Sequence, residues 1–174
     1  MLKLRAARLT LISNDAGLAA LQLEDMQAFC RRMEAPAPSA WPPEPFDGGA
    51  LQWVSAALSA DRDGEGWYGW ILVDEPGEGA PRRIVGAAAL IGRPDDEGEV
   101  ELGFGILPEA RGEGFAGEAI RALKQWALAH GAVRVIVHCD ASDDLSLKTL
   151  ASSGFEDTLT PPYPGVARWA AVAA

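Results

Sequence analysis

One segment limits the fold of this chain more than any other. Val100-Glu101-Leu102-Gly103-Phe104-Gly105-Ile106-Leu107 reads as a strand, Pro108-Glu109-Ala110-Arg111 as a turn, and Gly112-Glu113-Gly114-Phe115-Ala116-Gly117 as a small-residue loop opening a helix. Ala116, Ala119, Ile120, Leu123, Trp126 and Ala127 then recur with the helical period, and His130-Gly131 should end that helix with glycine in the C-capping position. Glycines at 112 and 114 and alanine at 116 let a ligand approach the backbone closely. The first helical turn adds unpaired N–H groups and the positive end of the helix dipole. The combination suits a pyrophosphate, although a purely structural glycine turn fits the same residues.

Three phosphate-binding motifs compete for this loop. A P-loop is excluded, because no Lys-Ser or Lys-Thr pair follows the glycines. The dinucleotide fingerprint is the stronger rival: residues 112–117 match Gly-x-Gly-x-x-Gly, open a helix, and precede a strand ending near Asp140, which could bind a ribose. In a Rossmann unit, however, the strand runs almost directly into the first glycine, whereas four residues intervene here. The preceding strands also read as antiparallel hairpins, not βαβ units.

Elsewhere, Ala7 to Ser13 alternates as a strand, and Asn14 or Asp15 is a candidate cap for a helix running to Met33, with Leu18, Leu21, Met26 and Phe29 on its apolar face. Residues 35–49 hold too many prolines for a helix or inner strand and predict a stiff loop. Leu51, Val54 and Leu58 mark a helix from Ala50 to Ser59. Trp67 to Val73, Arg83 to Ile91 and Glu99 to Leu107 read as three antiparallel strands, the first two joined by the turn-rich stretch Asp74 to Gly79. Val133 to Val137 is a buried strand, Leu145 to Ser152 a helix stopped at Gly154, and Phe155 to Leu159 with Val166 to Val172 a closing hairpin. This order predicts an α/β (α+β) fold: one mixed, mostly antiparallel sheet of about seven strands with helices on both faces, in a single domain over residues 1–174.

Charge and composition narrow the partners. Twenty-five Asp and Glu against 15 Lys and Arg give a net charge of −10, a field that repels nucleic acid. No stretch reaches the ~18 consecutive apolar residues of a membrane span, and Met1 to Arg5 lacks a signal-peptide core, so a soluble, unexported protein is expected. Cys30 and Cys139 stand alone without metal-ligand spacing, which points to a reducing cytoplasm and to no metal site.

The loop resembles the GNAT superfamily of N-acetyltransferases. Arg111-Gly112-Glu113-Gly114-Phe115-Ala116 fits its Arg/Gln-x-x-Gly-x-Gly/Ala signature, with Glu101-Leu102-Gly103-Phe104 and Leu107-Pro108-Glu109 similar to the strand and turn before it. Asp143 to Phe155 resembles the Asn-x-x-Ser...Leu-x-x-x-Gly-Phe element of enzymes that acetylate ribosomal-protein N-termini. The resemblance implies acetyl-CoA as cosubstrate and no metal. It implies that the N–H groups of Gly112, Gly114, Phe115 and Ala116, aided by Arg111, hold the pyrophosphate, and that the pantetheine arm pairs with the strand at Ile106 and Leu107. Asp143 stands where the family has Asn, so a coenzyme contact there would meet a carboxylate that only accepts. Leu150 stands where many members have a Tyr that protonates the leaving thiolate; Ser146 matches a serine proposed for that role, or is a helix-start cap.

An amine must be neutral to attack a thioester, so a base or a water path is needed. Glu101, aligned with a frequent family Glu, is the leading candidate, because partial burial would raise its pKa; alternatively it is a solvated strand residue like Glu99. His138, at the carboxyl end of the next strand, is the other base. Trp41 to Phe46 and Pro161 to Pro164 would flank the acceptor, as a cage for a cation or as stiffened loops. Cys139 could act as a nucleophile but reads as packing. The expected activity is direct transfer from acetyl-CoA to a small amine or a protein N-terminus by a monomer or homodimer. A non-catalytic acyl-CoA sensor and, behind it, a dinucleotide-binding protein are the alternatives.

Overall fold

The computed structural model describes residues 1–77 and 80–173; Glu78 and Gly79 of the expected turn therefore lie outside the described residues. The chain opens with a hairpin, Lys3–Arg5 (β1) against Leu9–Ser13 (β2). Asp15 then caps Ala16–Glu24 (α1) by accepting from the Leu18 N–H at 2.7 Å. The single helix expected as far as Met33 is in fact two. Asp25 leaves helical geometry at φ −148° and ψ 86°, and its carboxylate accepts from the Ala28 N–H to start Met26–Met33 (α2). Asp is a poor interior helix residue and a good N-cap, so the break falls there. Leu18, Phe29 and Met33 are fully buried, while Leu21 and Met26 lie half out.

After the proline loop, Asp47 caps Gly48–Ala60 (α3), which begins two residues before the expected start and buries Val54 and Leu58. Three antiparallel strands follow, Gly69–Asp74 (β3), Arg83–Leu90 (β4) and Glu99–Ile106 (β5). A 3₁₀ turn at Pro108–Ala110 leads to Phe115–Ala129 (α4), then Arg134–Asp140 (β6), Asp144–Ser152 (α5), Glu156–Asp157 (β7) and Val166–Val172 (β8).

The strands form one eight-stranded sheet in the order β1-β2-β3-β4-β5-β6-β8-β7. β1, only three residues long and charged at both ends, is the strand beyond the expected seven. Every neighbouring pair is antiparallel except β5 and β6, which run parallel because α4 crosses between them. One sheet face packs against α4 through Phe115, Ala119, Ile120, Leu123, Trp126 and Ala127. Trp126 meets Trp67 and Trp70 edge-on at 4.9 and 5.6 Å between ring centroids, a favoured geometry for aromatic pairs. The other face packs Ile12, Ile71, Val73 and Ile84 against Leu18, Phe29 and Met33 of the first two helices.

Candidate active site

β5 and β6 pair only at Glu99↔Arg134, Val100↔Val135 and Glu101↔Ile136. Beyond Glu101 they part: β5 continues to Ile106 against β4, and β6 to Asp140 against β8. The sheet therefore forks, and the carboxyl half of β5 keeps one unpaired edge. Leu107 donates its N–H to Val85 on the β4 side, and Glu101 accepts there from Ile91, so residues 101, 103, 105 and 107 turn their backbone groups towards β4. The groups facing the fork are then those of Phe104 and Ile106. Ile106 lies on the open edge, whereas Leu107 has its N–H held by Val85 and its carbonyl held by the Ala110 N–H. Phe104 was missed in the sequence, although the period of two already groups it with Ile106.

The two rival bases meet at the mouth of the fork. His138 Nδ1 lies 2.9 Å from Glu101 Oε1, across 37 residues of sequence. A carboxylate oxygen can only accept, so Nδ1 is the donor of this contact, and in the neutral imidazole Nε2 is then the acceptor nitrogen. Glu99, one pleat away on the same face, is engaged separately by Arg168 at 2.6 Å and Arg134 at 3.4 Å. Glu101 is thus hydrogen-bonded to an imidazole, a contact that the strand residue taken alone could not reveal.

The glycine loop lies past the far end of β5. Gly112 and Gly114 have φ of +81° and +88°, values that an L side chain adopts only under strain. Space for a Cβ at 112 is open, and at 114 the nearest atom is an Arg8 nitrogen at 3.6 Å. Gly114 is the N-cap of α4 and supplies no side chain to the first-turn donors. Phe115 is buried beneath this turn and Ala116 is half-buried. Arg111 donates from Nε to the Ile106 carbonyl at 3.2 Å and lies 3.8 Å from Glu44, so it bridges the loop and the open edge. Arg8 and Arg83 also reach the loop, and the hydrogen bonds from Arg83 hold the Glu113 carboxyl below the usual carboxylate range.

On the face that carries Glu101, the proline loop crosses β5. The Glu44 carbonyl occupies the place where a Cβ at Gly105 would project, so only glycine lets the loop pass. The tip of the Phe46 ring lies 3.6 Å from the Cβ position of Gly103. Trp41 is turned inward, 5.3 Å from the Phe29 ring, and Tyr163 is 62% exposed. The aromatic residues singled out in the sequence therefore do not converge, and Phe46 alone stands beside the fork.

A family model described as an acetyltransferase (GNAT) domain matches residues 16–156. The chain belongs to this GNAT family. It is 31% identical over 116 residues to YjdG of Bacillus subtilis (strain 168), described as an uncharacterized N-acetyltransferase, a match spanning 66% of this chain and 66% of that protein. Among solved structures, the fold superposes on a Vibrio fischeri ribosomal-protein-S5-alanine acetyltransferase with a TM-score of 0.65 at 14% identity, covering 99% and 97% of the two chains. A Vibrio cholerae spermidine N-acetyltransferase in complex with CoA and spermine gives 0.64 at 17% identity, covering 95% of each chain.

Two positions of this GNAT domain depart from the pattern described above, one within α5 and one at its N-cap. Leu150 is completely buried in the core. Asp143 is the N-cap: Oδ1 accepts from the Ser146 N–H at 3.1 Å and Oδ2 from the Ser146 hydroxyl at 2.6 Å, which holds the carboxyl below its ordinary range. The Ser146 proton is directed at Asp143, so the geometry favours the capping role over that of an acid. Replacing Asp143 with Ala should destabilise the protein by about 0.5–2 kcal/mol, which thermal unfolding would register as a few degrees. Cys139 is no better placed for chemistry, since burial and then Asp143, Asp140 and Asp157 push its thiol pKa up.

Proposed function

We propose that the protein is an acetyl-CoA-dependent N-acetyltransferase that transfers the acetyl group directly to an amine, with His138 and Glu101 acting together as the base. The observation that carries this reading is the hydrogen-bonded Glu101–His138 pair at the mouth of a forked sheet whose open edge leads to the glycine loop. The residues fit the coenzyme. Space is open beside Gly112, the nearest atom at Gly114 is an Arg8 nitrogen 3.6 Å away, and arginines surround the loop in a chain of net charge −10. Phe104 and Ile106 would pair with the pantetheine arm, Ile106 once its carbonyl exchanges Arg111 for that arm.

Bound acetyl-CoA would supply an activated acetyl thioester with a thiolate leaving group. His138 Nε2 accepts the proton that the acceptor nitrogen sheds as its bond to the acetyl carbon forms, and Glu101 stabilises the imidazolium that results. The thiolate is released as the C–S bond breaks and takes its proton from solvent, or from Ser146 if that hydroxyl leaves Asp143. Phe46 and the small residues beneath it bound the acceptor side, which suits a slender amine or a peptide N-terminus.

Thermal unfolding tests the coenzyme assignment. At coenzyme A concentrations near a hundred times Kd, the melting temperature should rise by about 5–10 °C, and NAD should leave it unchanged. Stabilisation by NAD alone would overturn the assignment. The competing reading, a non-catalytic acyl-CoA sensor, draws on the buried Leu150 and the engaged Ser146 hydroxyl. Acetylation of any member of an amine panel, read by release of free thiol, excludes it.

A further inference from the structure

The Glu113–Gly114 peptide occupies a position where its orientation matters and its own sequence does little to fix it. Gly114 has φ of +88° and, lacking a Cβ, can adopt negative φ almost as readily. Rotating this one peptide would exchange an N–H for a carbonyl oxygen on the side where an anion is to bind. A carbonyl there repels phosphate as strongly as an N–H attracts it.

Arg8, from the turn between β1 and β2, closes this ambiguity across 105 residues of sequence. Its Nη2 donates to the Glu113 carbonyl at 2.5 Å. The carbonyl and N–H of a trans peptide point in opposite directions, so gripping the Glu113 oxygen turns the Gly114 N–H away from Arg8. The guanidinium is itself fixed: Nε and Nη2 donate to Glu118 Oε1 at 2.9 and 2.6 Å, and the Arg8 backbone N–H donates to Oε2 at 3.0 Å. Its carbon lies 4.6 Å from the Phe115 ring centroid. From β4, Arg83 holds the other end of the same residue, donating to Glu113 Oε2 at 3.0 Å and to Asp74, whose side chain is 5% exposed, at 2.7 Å. Nε and Nη2 of Arg8 are engaged by Glu113 and Glu118, which ties this side of the guanidinium to the shape of the loop.

We infer that Arg8 is a positioning residue that sets the Glu113–Gly114 peptide so that the Gly114 N–H faces the coenzyme pyrophosphate, with Arg83 as its auxiliary; the inference rests on the coenzyme reading above. Calorimetric titration with coenzyme A provides the test. Arg8→Ala should weaken binding about tenfold or more, as expected for loss of a charge-assisted hydrogen bond that organises the site. Arg8→Lys keeps the charge but loses the planar fork, so it should show most of the same loss. Arg5→Ala, which removes one positive charge from an exposed side chain whose ion-pair partner is Glu75 at 3.4 Å and not the loop, should bind like the wild type. Full affinity in Arg8→Ala, full rescue by Lys, or an equal loss in Arg5→Ala would each overturn the role; if Arg8→Ala does not fold, Arg8→Lys decides. Should the wild type bind no coenzyme A, the coenzyme reading is what fails. The clamp is then judged by the ¹⁵N resonance of Gly114, which should move in Arg8→Lys while that of Gly131 stays. An unmoved Gly114 resonance refutes it.

Discussion

Glu101→Gln should lower turnover by roughly 10²–10⁴ while barely changing the affinity for acetyl-CoA. Glutamine keeps the volume and can still meet His138, but it removes the charge that stabilises an imidazolium and no longer dictates which ring nitrogen carries the hydrogen. His138→Asn should be at least as slow, because it removes the proton acceptor. The two groups share one hydrogen bond of 2.9 Å, so the double variant should be hardly slower than the slower single variant. Steady-state kinetics with acetyl-CoA and one amine acceptor would check all three, and an acceptor of lower pKa should shrink every deficit. Near-normal turnover in both single variants would remove the pair from the chemistry and leave a water path to solvent. Loss in His138→Asn alone would leave the imidazole as base without an orienting carboxylate.

Gly114→Val should weaken coenzyme A binding by well over tenfold, or about 1.4 kcal/mol and more. The reason is not crowding within the protein, since the nearest atom to the new Cβ is 3.6 Å away. A β-branched side chain at φ +88° either strains the loop or forces it to a different φ, and in both cases it projects from the cradle itself. Strain alone would also lower stability, so the comparison needs a matched site. Gly131 has φ +107° and open space around it, and it lies at the opposite end of α4. Gly131→Val should therefore lose comparable stability and keep its coenzyme affinity, which calorimetry and thermal unfolding together would show. Equal losses of affinity at both sites would mean that the loop glycines serve folding and not the ligand.

Most of the sheet could be read because its signals are local. The helix after Gly114 shows its period in six apolar residues and its stop in His130-Gly131, and the structure agrees to within a residue. Asp25 was read through because Leu-Gln-Leu-Glu-Asp-Met has good helix formers on both sides, and a cap is visible only once the chain has turned at it. β1 was too short for two full periods. The site divides in the same way. Gly112 and Gly114 advertise themselves, and Glu101 and His138 were each singled out, but their union depends on the register of a parallel pair 37 residues apart. Arg8 carried no signal at all, because its meaning lies in a carbonyl 105 residues away.

The brief ladder between β5 and β6 also has a mechanical consequence. Three residue pairs join the half of the sheet containing β1 to β5 to the half containing β6, β8 and β7, whereas six join β3 to β4 and seven join β6 to β8. The seam is also crossed by the bonds from Glu99 to Arg134 and Arg168, by the Glu101–His138 contact, by backbone bonds from Val133 and Arg134 to the Gly98 carbonyl, and by side-chain packing beneath α4. The backbone ladder is therefore thinnest along one line, and that line ends at Glu101. A small rotation of one half against the other would widen or narrow the cleft while leaving every long hydrogen-bonded ladder intact. Such a rotation would pivot beside the Glu101–His138 hydrogen bond.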